Sequence, residues 1–195
     1  MFKIAVLISG GGSNLQALID ASNSGFLGSG IITTVISDRQ AYGLDRAAAH
    51  DIQTWLIDRR AYKGNLSEKI MEKIPRDTDL IVLAGYLSIL SSDFVQTWRG
   101  KIINIHPALL PDFGGKGMYG MNVHRAVLEA GRDKSGCTVH YVDQGVDTGE
   151  IILQKEVPVL EGDSPEDLQK RVLQQEHSAL VEAVNLVINK VNKTS

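Results

Sequence analysis

Cysteine is almost absent from this sequence: Cys137 is the only one among 195 residues. A single thiol excludes an internal disulfide and any metal site built from several cysteines, and it is typical of a reducing compartment. Because Cys137 lies in an apolar segment, we expect it to pack in the core.

Long apolar runs are also missing. Ser9 and Gly10 interrupt the first one, far short of the roughly 18 apolar residues that a membrane helix needs. The N-terminus runs directly into a strand and a glycine loop, with no signal-peptide pattern. We therefore expect a soluble, cytoplasmic protein that does not bind membranes.

No excess of charge of either sign marks the chain. Its 20 Lys and Arg and 23 Asp and Glu give a formal net charge of -3 at pH 7, which gives no broad electrostatic reason to expect a nucleic-acid partner. The sequence contains no repeat, low-complexity tract or linker. Its length suits one domain, which we predict to cover residues 1–195.

What the chain does contain is a regular alternation of short β-branched runs and helix-like segments. Apolar runs of this kind need cover on both faces, so they predict an α/β fold. We expect an open, mostly parallel twisted sheet of Rossmann-like type flanked by helices. The runs lie at 4–8, 31–36, 53–57, 80–84 and 101–105, the third being the weakest.

The pattern becomes strand-rich in the last third of the chain. Apolar runs at 138–142 and 151–157 are joined by a short connection with two glycines, which predicts an antiparallel pair. Pro165 suits the first turn of a helix. An apolar stripe then predicts a long C-terminal helix to about Asn189, followed by a frayed tail at 190–195.

A glycine-rich loop follows the first strand and opens a helix. Within residues 9–14 (Ser-Gly-Gly-Gly-Ser-Asn), unpaired backbone N–H groups and the positive helix end predict a site for a phosphate. Gly10 and Gly12 match a dinucleotide fingerprint, and Asp38 follows the second strand, but Leu15 occupies the position of the third glycine. The alternative is a tight turn that binds no ligand.

An amide and an imidazole stand two positions apart where a strand ends. Asn104 and His106 begin the run Asn-Ile-His-Pro-Ala-Leu-Leu-Pro, and alternate side chains of an extended segment point to the same side. Asn104 supplies a neutral hydrogen-bond donor, and His106 a group that carries a proton near neutral pH. The pair therefore indicates chemistry on a carbonyl group, at the sheet edge where the glycine loop also opens.

Asp147 is a candidate partner for the imidazole. It lies between Gly145 and Gly149, which permit a close backbone approach. A carboxylate near His106 would raise the pKa of the imidazole and favour its charged form. The alternative is a turn aspartate that bonds its own backbone.

Five segments, in one order and over nearly the whole chain, resemble the phosphoribosylglycinamide formyltransferases, a family of folate-dependent enzymes. They are 11–16 (Gly-Gly-Ser-Asn-Leu-Gln), 83–86 (Leu-Ala-Gly-Tyr), 104–111, 146–149 (Val-Asp-Thr-Gly) and 175–177 (Gln-Glu-His). The resemblance implies transfer of the formyl group of 10-formyltetrahydrofolate, a cosubstrate, to the primary amine of glycinamide ribonucleotide in purine biosynthesis. Both partners are small molecules, and no metal is required.

The resemblance also implies a catalytic trio of Asn104, His106 and Asp147. A neutral amine attacks the formyl carbon while protonated His106 and the Asn104 amide stabilise the developing oxyanion. Asp147 keeps His106 charged and orders a water that relays the proton to the leaving folate nitrogen. The chain then divides into a phosphate-binding half at 1–100 and a catalytic and folate-binding half at 101–195.

Ligand contacts follow from the same resemblance. The substrate phosphate is assigned to Gly12, Ser13 and Asn14, and the ribose to Glu176. The folate is assigned to Arg59, Leu87, Ser88, Ile89, Leu90, Val95, Asn104 and Gln144. Glu176 is otherwise a solvated helix carboxylate, and the segment 87–90 ordinary core. Arg60 is an alternative to Arg59 for the folate tail, and Ser88 stands where some relatives have a basic residue.

The segment 113–120 is rich in glycine and follows the catalytic run. It is either a moving lid or a long ordered surface loop. His124 and His140 show no metal-ligand spacing. We expect His124 to be an ordinary helix residue, and His140 to pack in a strand or to support the site.

Two rival interpretations remain. Methionyl-tRNA formyltransferases and formyltetrahydrofolate hydrolases share the Asn-x-His and Asp elements, but each carries a further domain for which we expect no room in this chain. A non-catalytic nucleotide-binding module of Rossmann type is supported by Gly10, Gly12 and Asp38 and opposed by Leu15. The sequence leaves the oligomeric state open.

Overall fold

Seven strands form one sheet in this computed structural model, which describes residues 1–194. The strands are β1 (Phe2–Ile8), β2 (Gly30–Ser37), β3 (Gln53–Leu56), β4 (Leu80–Leu83), β5 (Ile102–His106), β6 (Lys134–Tyr141) and β7 (Ile151–Pro158). The helices are α1 (Ser13–Asn23), α2 (Tyr42–Ala48), α3 (Leu66–Met71), α4 (Ser92–Thr97), α5 (Met121–Glu129) and α6 (Pro165–Thr194). The strand order is β3-β2-β1-β4-β5-β6-β7.

Strands β1 to β5 pair in parallel, whereas β5 with β6 and β6 with β7 pair antiparallel. The predicted α/β fold, with its mostly parallel sheet, antiparallel C-terminal strands and long C-terminal helix, is confirmed. The predicted end of that helix near Asn189 was wrong, because no Gly or Pro follows and α6 continues through Thr194. Of the predicted frayed tail, position 195 lies outside the described residues.

The central strand β1 has core on both faces. Ile4 and Val6 belong to the apolar cluster on the side of α1 and α6, and Ala5 and Leu7 to the cluster on the side of α3 and α4. Successive side chains of a strand point to opposite faces, so a run without polar residues requires this double cover. Burial of each larger side chain stabilises the fold by about 1.5–3 kcal/mol.

Helix α6 covers β6 and β7 and packs on α1 and α5. Its apolar stripe includes Leu168, Val172 and Leu180, and Leu173 and Glu176 lie beside that stripe and line a cavity. In the described part of the chain, no helix is both long and apolar enough to span a membrane, since the 30 residues of α6 are amphipathic.

Candidate active site

A cavity of about 1020 Å³ opens at the carboxyl ends of β1, β4 and β5. This is the edge at which open α/β sheets bind ligands. The cavity is lined by the glycine loop, the segment after β4, the end of β5, the loop that follows it, the loop between β6 and β7, and one side of α6. The lining residues include 10–14, 83–90, 104–107, 115–120, 142–147, Gln169, Leu173 and Glu176.

The glycine loop is held from behind by α2. Gly12 has a φ of 73°, in the left-handed region, and a Cβ at this position would lie 2.7 Å from the Cα of Gly43. The N–H of Gly43 donates to the carbonyl of Gly10 (3.1 Å), and Nε of Arg46 donates to that of Gly11 (2.8 Å). The first N–H groups of α1 have no partner within the helix. The loop thus has the geometry of the predicted anion site.

Asn14 and Glu176 meet across the cavity floor. Nδ2 of Asn14 donates to Oε2 of Glu176 at 2.7 Å, although the two residues are 162 positions apart. Burial raises the pKa of Glu176, and the hydrogen bond from Asn14 only partly offsets the increase. Oδ1 of Asn14 is buried without a hydrogen-bond partner among the described residues. Glu176 is therefore not a solvated carboxylate, and a polar acceptor next to it remains for a ligand.

Asn104, His106 and Asp147 come together at the end of β5. Nδ1 of His106 lies 3.5 Å from Oδ2 of Asp147, and Asn104 lines the same cavity. The turn aspartate of the β6–β7 loop is Asp143, whose Oδ1 accepts from the N–H of Gly145 (3.0 Å). Asp147 instead reaches the imidazole, as the prediction required.

The other nitrogen of His106 is also occupied. Nε2 lies 2.8 Å from the carbonyl oxygen of Phe113, and because a carbonyl only accepts, Nε2 carries a hydrogen. Phe113 and Asp147 both have left-handed backbones, with φ of 55° and 58°, a conformation that costs about 1–3 kcal/mol for a non-glycine residue. The N–H of Gly115 donates to Oδ2 of Asp147 (3.0 Å) and helps to hold both in place.

Burial lowers the pKa of His106 below its ordinary value, and the charge of Asp147 and the carbonyl of Phe113 offset this only in part. The net direction is opposite to the prediction that Asp147 keeps His106 charged. The effect of the carboxylate has the expected sign, but the imidazole side chain is only 4% exposed, so desolvation outweighs it. For Asp147, burial raises the pKa, yet contacts with His140, His106 and Gly115 outweigh burial and lower it overall.

The segment assigned to the folate forms one wall of the cavity. Leu87 is 49% exposed and Ile89 is 80% exposed, so these side chains are not ordinary core. Ser88, Leu90 and Val95 line the same wall. Gln144 closes it from the β6–β7 loop, where its Oε1 accepts from the hydroxyl of Ser92 (2.6 Å).

Arg59 is not among the residues that line the cavity. It is exposed on the surface, and its backbone N–H donates to the carbonyl of Asp38 (2.9 Å). Arg60 is also exposed, and its N–H donates to Oδ1 of Asp58 (2.8 Å). The position of neither side chain indicates a role in ligand binding, so the contact of Arg59 with the folate tail stays a prediction.

Two histidines of the site carried little signal in the sequence. His140 lies opposite Asn104 in the β5–β6 pairing, and its Nε2 is 3.2 Å from Nδ2 of Asn104 and 3.6 Å from Oδ1 of Asp147. His124 lines the cavity, and burial, followed by the charge of His106, lowers its pKa to about 4. His124 is thus a helix residue, as expected, but it also lines the cavity. For His140, the signal is its position opposite Asn104, which depends on the register of β6 against β5.

Asp38 is not available to a nucleotide ribose. Its side chain is fully buried, and both carboxylate oxygens accept from Arg39, at 2.9 and 2.8 Å. This removes a main support of the dinucleotide-binding alternative. Among residues 1–194, no group of three or more His, Cys, Asp or Glu is arranged to hold a metal ion.

Known proteins resemble this chain along most of its length. The family model described as formyl transferase matches residues 2–184. A phosphoribosylglycinamide formyltransferase named as chloroplastic, from Arabidopsis thaliana, is 39% identical over 189 residues, which cover 95% of this chain and 65% of that protein. The trifunctional purine biosynthetic protein adenosine-3 of Bos taurus is 43% identical over 190 residues, which cover 95% of this chain but 18% of that protein.

The chain therefore spans less than a fifth of the trifunctional relative and just under two thirds of the plant relative. Among solved structures, glycinamide ribonucleotide transformylase 1 from Symbiobacterium toebii has a TM-score of 0.90 and 42% identity, over 97% of this chain and 89% of that one. The phosphoribosylglycinamide formyltransferase of Anaplasma phagocytophilum has a TM-score of 0.85 and 41% identity, over 97% and 87%. The chain belongs to the formyl transferase family, and within it to the phosphoribosylglycinamide formyltransferases.

Proposed function

We propose that this chain transfers the formyl group of 10-formyltetrahydrofolate to the primary amine of glycinamide ribonucleotide. The products are formylglycinamide ribonucleotide and tetrahydrofolate, in de novo purine biosynthesis. The observation that carries the proposal is the position of Asn104 and His106 in a cavity that has the glycine loop on one side and the apolar wall at 87–90 on the other. Each side suits one of the two ligands.

The phosphate end of glycinamide ribonucleotide is assigned to Gly12, Ser13 and Asn14. Backbone N–H groups at a helix N-terminus bind phosphate, and the left-handed Gly12 lets it approach closely. Glu176 accepts a hydrogen bond from a ribose hydroxyl, and the unpartnered Oδ1 of Asn14 accepts another. This places the glycinamide amine toward the end of β5.

The pterin of the cosubstrate is assigned to the wall formed by Leu87, Ser88, Ile89, Leu90 and Val95, with Asn104 and Gln144 at its edges. Leu87 and Ile89 expose large apolar surface there, which a flat aromatic ligand would cover. Arg59 remains assigned to the glutamate tail. The reaction uses 10-formyltetrahydrofolate as a cosubstrate and needs no metal.

In the chemical step, a C–N bond forms between the amine and the formyl carbon, and the bond from that carbon to the folate nitrogen breaks. One proton moves from the amine to the leaving nitrogen, by way of a water that Asp147 orders. The Asn104 amide and protonated His106 donate to the formyl oxygen while it carries negative charge. His106 has both ring nitrogens engaged, so its contact with that oxygen requires Nε2 to leave the carbonyl of Phe113.

Asp147 contributes the charge that favours the proton on His106. Its carboxylate lies 3.5 Å from Nδ1 and raises the imidazole pKa against the opposing effect of burial. Burial deprives the His106 ring of water. When the substrate amine and the formyl oxygen lie against the ring, they replace part of this polar contact, and the charged form of His106 becomes more stable. The segment 113–120, which holds Phe113, is the lid in this proposal.

We also propose that residues 1–195 form one domain. Its half at 1–100 carries the phosphate loop and the folate wall, and its half at 101–195 carries the catalytic trio and Glu176. Both halves line the cavity, which supports a single functional unit. A cytoplasmic location, with no nucleic-acid or membrane partner, belongs to the same proposal. The formal net charge of -3 and the single buried cysteine support it.

Formyl transfer measured with glycinamide ribonucleotide present and then omitted tests the proposal. We expect formylglycinamide ribonucleotide to form only when the acceptor is present. Release of formate at the same rate without the acceptor would indicate a hydrolase. Tight binding of NADH with no response to 10-formyltetrahydrofolate would indicate the nucleotide-binding module instead.

His106→Ala provides the residue-level test. We expect kcat to fall by about 10²–10³-fold, because the charged donor to the oxyanion is lost, while the Kd for glycinamide ribonucleotide stays nearly unchanged. His50→Ala is the matched control, since His50 is exposed and is not among the residues that line the cavity. Wild-type turnover in His106→Ala would refute the assignment.

A further inference from the structure

The carboxylate of Asp38 is fully buried next to the wall at 87–90, which is called the cosubstrate wall below. It has no part in the reaction described above. Arg39 donates to both of its oxygens, through Nε at 2.9 Å and Nη2 at 2.8 Å. The hydroxyl of Ser88 donates to Oδ2, and the hydroxyl of Ser9 bonds the same carboxylate. Burial raises the pKa of Asp38, but these donors together outweigh burial and lower it.

These hydrogen bonds attach the cosubstrate wall, which follows β4, to the ends of neighbouring strands of the sheet. Ser88 itself lines the cavity, and Oγ of Ser9 accepts from the backbone N–H of Leu87 at 2.9 Å. Ser9 follows β1 directly, and Asp38 follows β2, so two consecutive wall residues are fixed to the ends of two core strands.

Apolar packing holds Leu90, which lies against the buried cluster on the side of α3 and α4, but it restrains the exposed residues of the wall only weakly. The side chains of Leu87 and Ile89 are 49% and 80% exposed, so they gain little from the core before a ligand covers them. A short segment of this kind loses its single conformation unless polar contacts hold it. The contacts that hold its first two residues are those of Ser9 and Asp38.

We infer that Asp38 is a positioning residue for the cosubstrate, which fixes the wall at 87–90 through Ser88 and Ser9 while Arg39 balances its buried charge. The inference rests on the proposed function, because it assigns the wall to 10-formyltetrahydrofolate. It gives Ser88 a role that does not require contact between its side chain and the folate.

Paired substitutions at position 88 test the hydroxyl. Ser88→Ala removes the hydrogen bond to Asp38, and Ser88→Thr retains a hydroxyl. We expect Ser88→Ala to raise both the KM and the Kd for 10-formyltetrahydrofolate by about tenfold, the usual effect of one hydrogen bond to a charged group. Because binding rather than chemistry is affected, kcat and the KM for glycinamide ribonucleotide should change by less than about twofold. Ser88→Thr should restore most of the binding.

Asp38→Asn tests the carboxylate, with Asp163→Asn as a matched control. Asp163 is partly buried and also pairs with an arginine, since both of its oxygens accept from Arg171 at 2.6 and 2.8 Å, but it does not line the cavity. Both variants should lower the Tm. Only Asp38→Asn should raise the KM for 10-formyltetrahydrofolate.

The outcomes separate this inference from the proposed function. Wild-type binding of 10-formyltetrahydrofolate by Ser88→Ala would overturn the inference and leave the function intact. So would an equal loss in Ser88→Thr, or a rise in KM for both substrates alike. If the wild-type protein binds 10-formyltetrahydrofolate by calorimetry but does not formylate glycinamide ribonucleotide, the function fails, and the Kd values of the two Ser88 variants still decide the inference.

Discussion

Nδ2 of Asn104 lies 3.2 Å from Nε2 of His140, its direct neighbour across the β5–β6 pair. Nδ1 of His140 is 2.8 Å from the carbonyl oxygen of Tyr141 and donates to it, so Nε2 is the ring nitrogen that accepts from the Asn104 amide. This bond sets the orientation of the amide and uses one of its two hydrogens. The second hydrogen is the one that our proposal assigns to the formyl oxygen.

His140→Leu should therefore reduce catalysis without weakening the binding of glycinamide ribonucleotide. Leucine fills a similar volume but leaves the Asn104 amide without its acceptor, and a misplaced donor costs about tenfold to hundredfold in kcat. His140→Gln offers a carbonyl acceptor and should recover part of the loss. Steady-state kinetics and thermal unfolding of both variants provide the check. A decrease in Tm with unchanged kcat would mean that His140 only packs in the strand.

Asp147→Asn should shift the alkaline limit of activity to lower pH. The negative charge of Asp147 raises the pKa of His106, against the larger effect of burial. Without that charge the pKa of the imidazole falls further, so the protonated form that donates to the oxyanion is lost at a lower pH. An NMR titration of the His106 ring, together with the pH profile of kcat, measures the shift. An unchanged imidazole pKa would contradict this account.

The parallel half of the fold could be predicted because apolar runs such as Ile4 to Ile8 permit only strands that are covered on both faces. Asn104 and His106 could be paired for the same reason, since a strand has a period of two. The contact of His140 with Asn104 depends on the antiparallel register of β5 and β6, which short-range sequence patterns do not determine.

The direction in which the pKa of His106 shifts could not be predicted from the sequence, for a related reason. The residue type and a nearby aspartate predict one direction, but the balance depends on how completely the loop at Phe113 excludes solvent. Asp38 shows the same difficulty. Its position after β2 supported a dinucleotide-binding site, whereas Arg39 and Ser88 bind the carboxylate in the folded chain.

Gly12→Ala should destabilise the protein and weaken binding of glycinamide ribonucleotide. The new Cβ would lie 2.7 Å from the Cα of Gly43, and the φ of 73° disfavours any L side chain, so we expect a loss of about 1–3 kcal/mol in the free energy of unfolding. Gly11→Ala is the control for stability, since its Cβ would meet no atom within 4 Å. Urea unfolding of both variants measures the difference. Equal midpoints would show that the loop relaxes without strain.

Glu176→Gln should stabilise the fold while it weakens substrate binding. Burial raises the pKa of Glu176 above its unfolded value, so the folded state holds its proton more tightly, and stability falls as pH rises from the ordinary glutamate pKa to the raised one. Above that interval the charged, buried carboxylate carries its full desolvation cost, which an uncharged glutamine avoids.

A glutamine carbonyl still accepts from Nδ2 of Asn14, so the contact now at 2.7 Å is retained in this variant. We therefore expect a higher Tm than wild type near neutral pH and little difference in acid, where Glu176 is protonated in both states. The KM for glycinamide ribonucleotide should rise, because a carboxylate accepts a ribose hydroxyl more strongly than an amide does. Calorimetry across this pH range measures the first effect, and steady-state kinetics the second. A lower Tm near neutral pH would show that the charge of Glu176 stabilises the fold and that burial does not dominate its pKa.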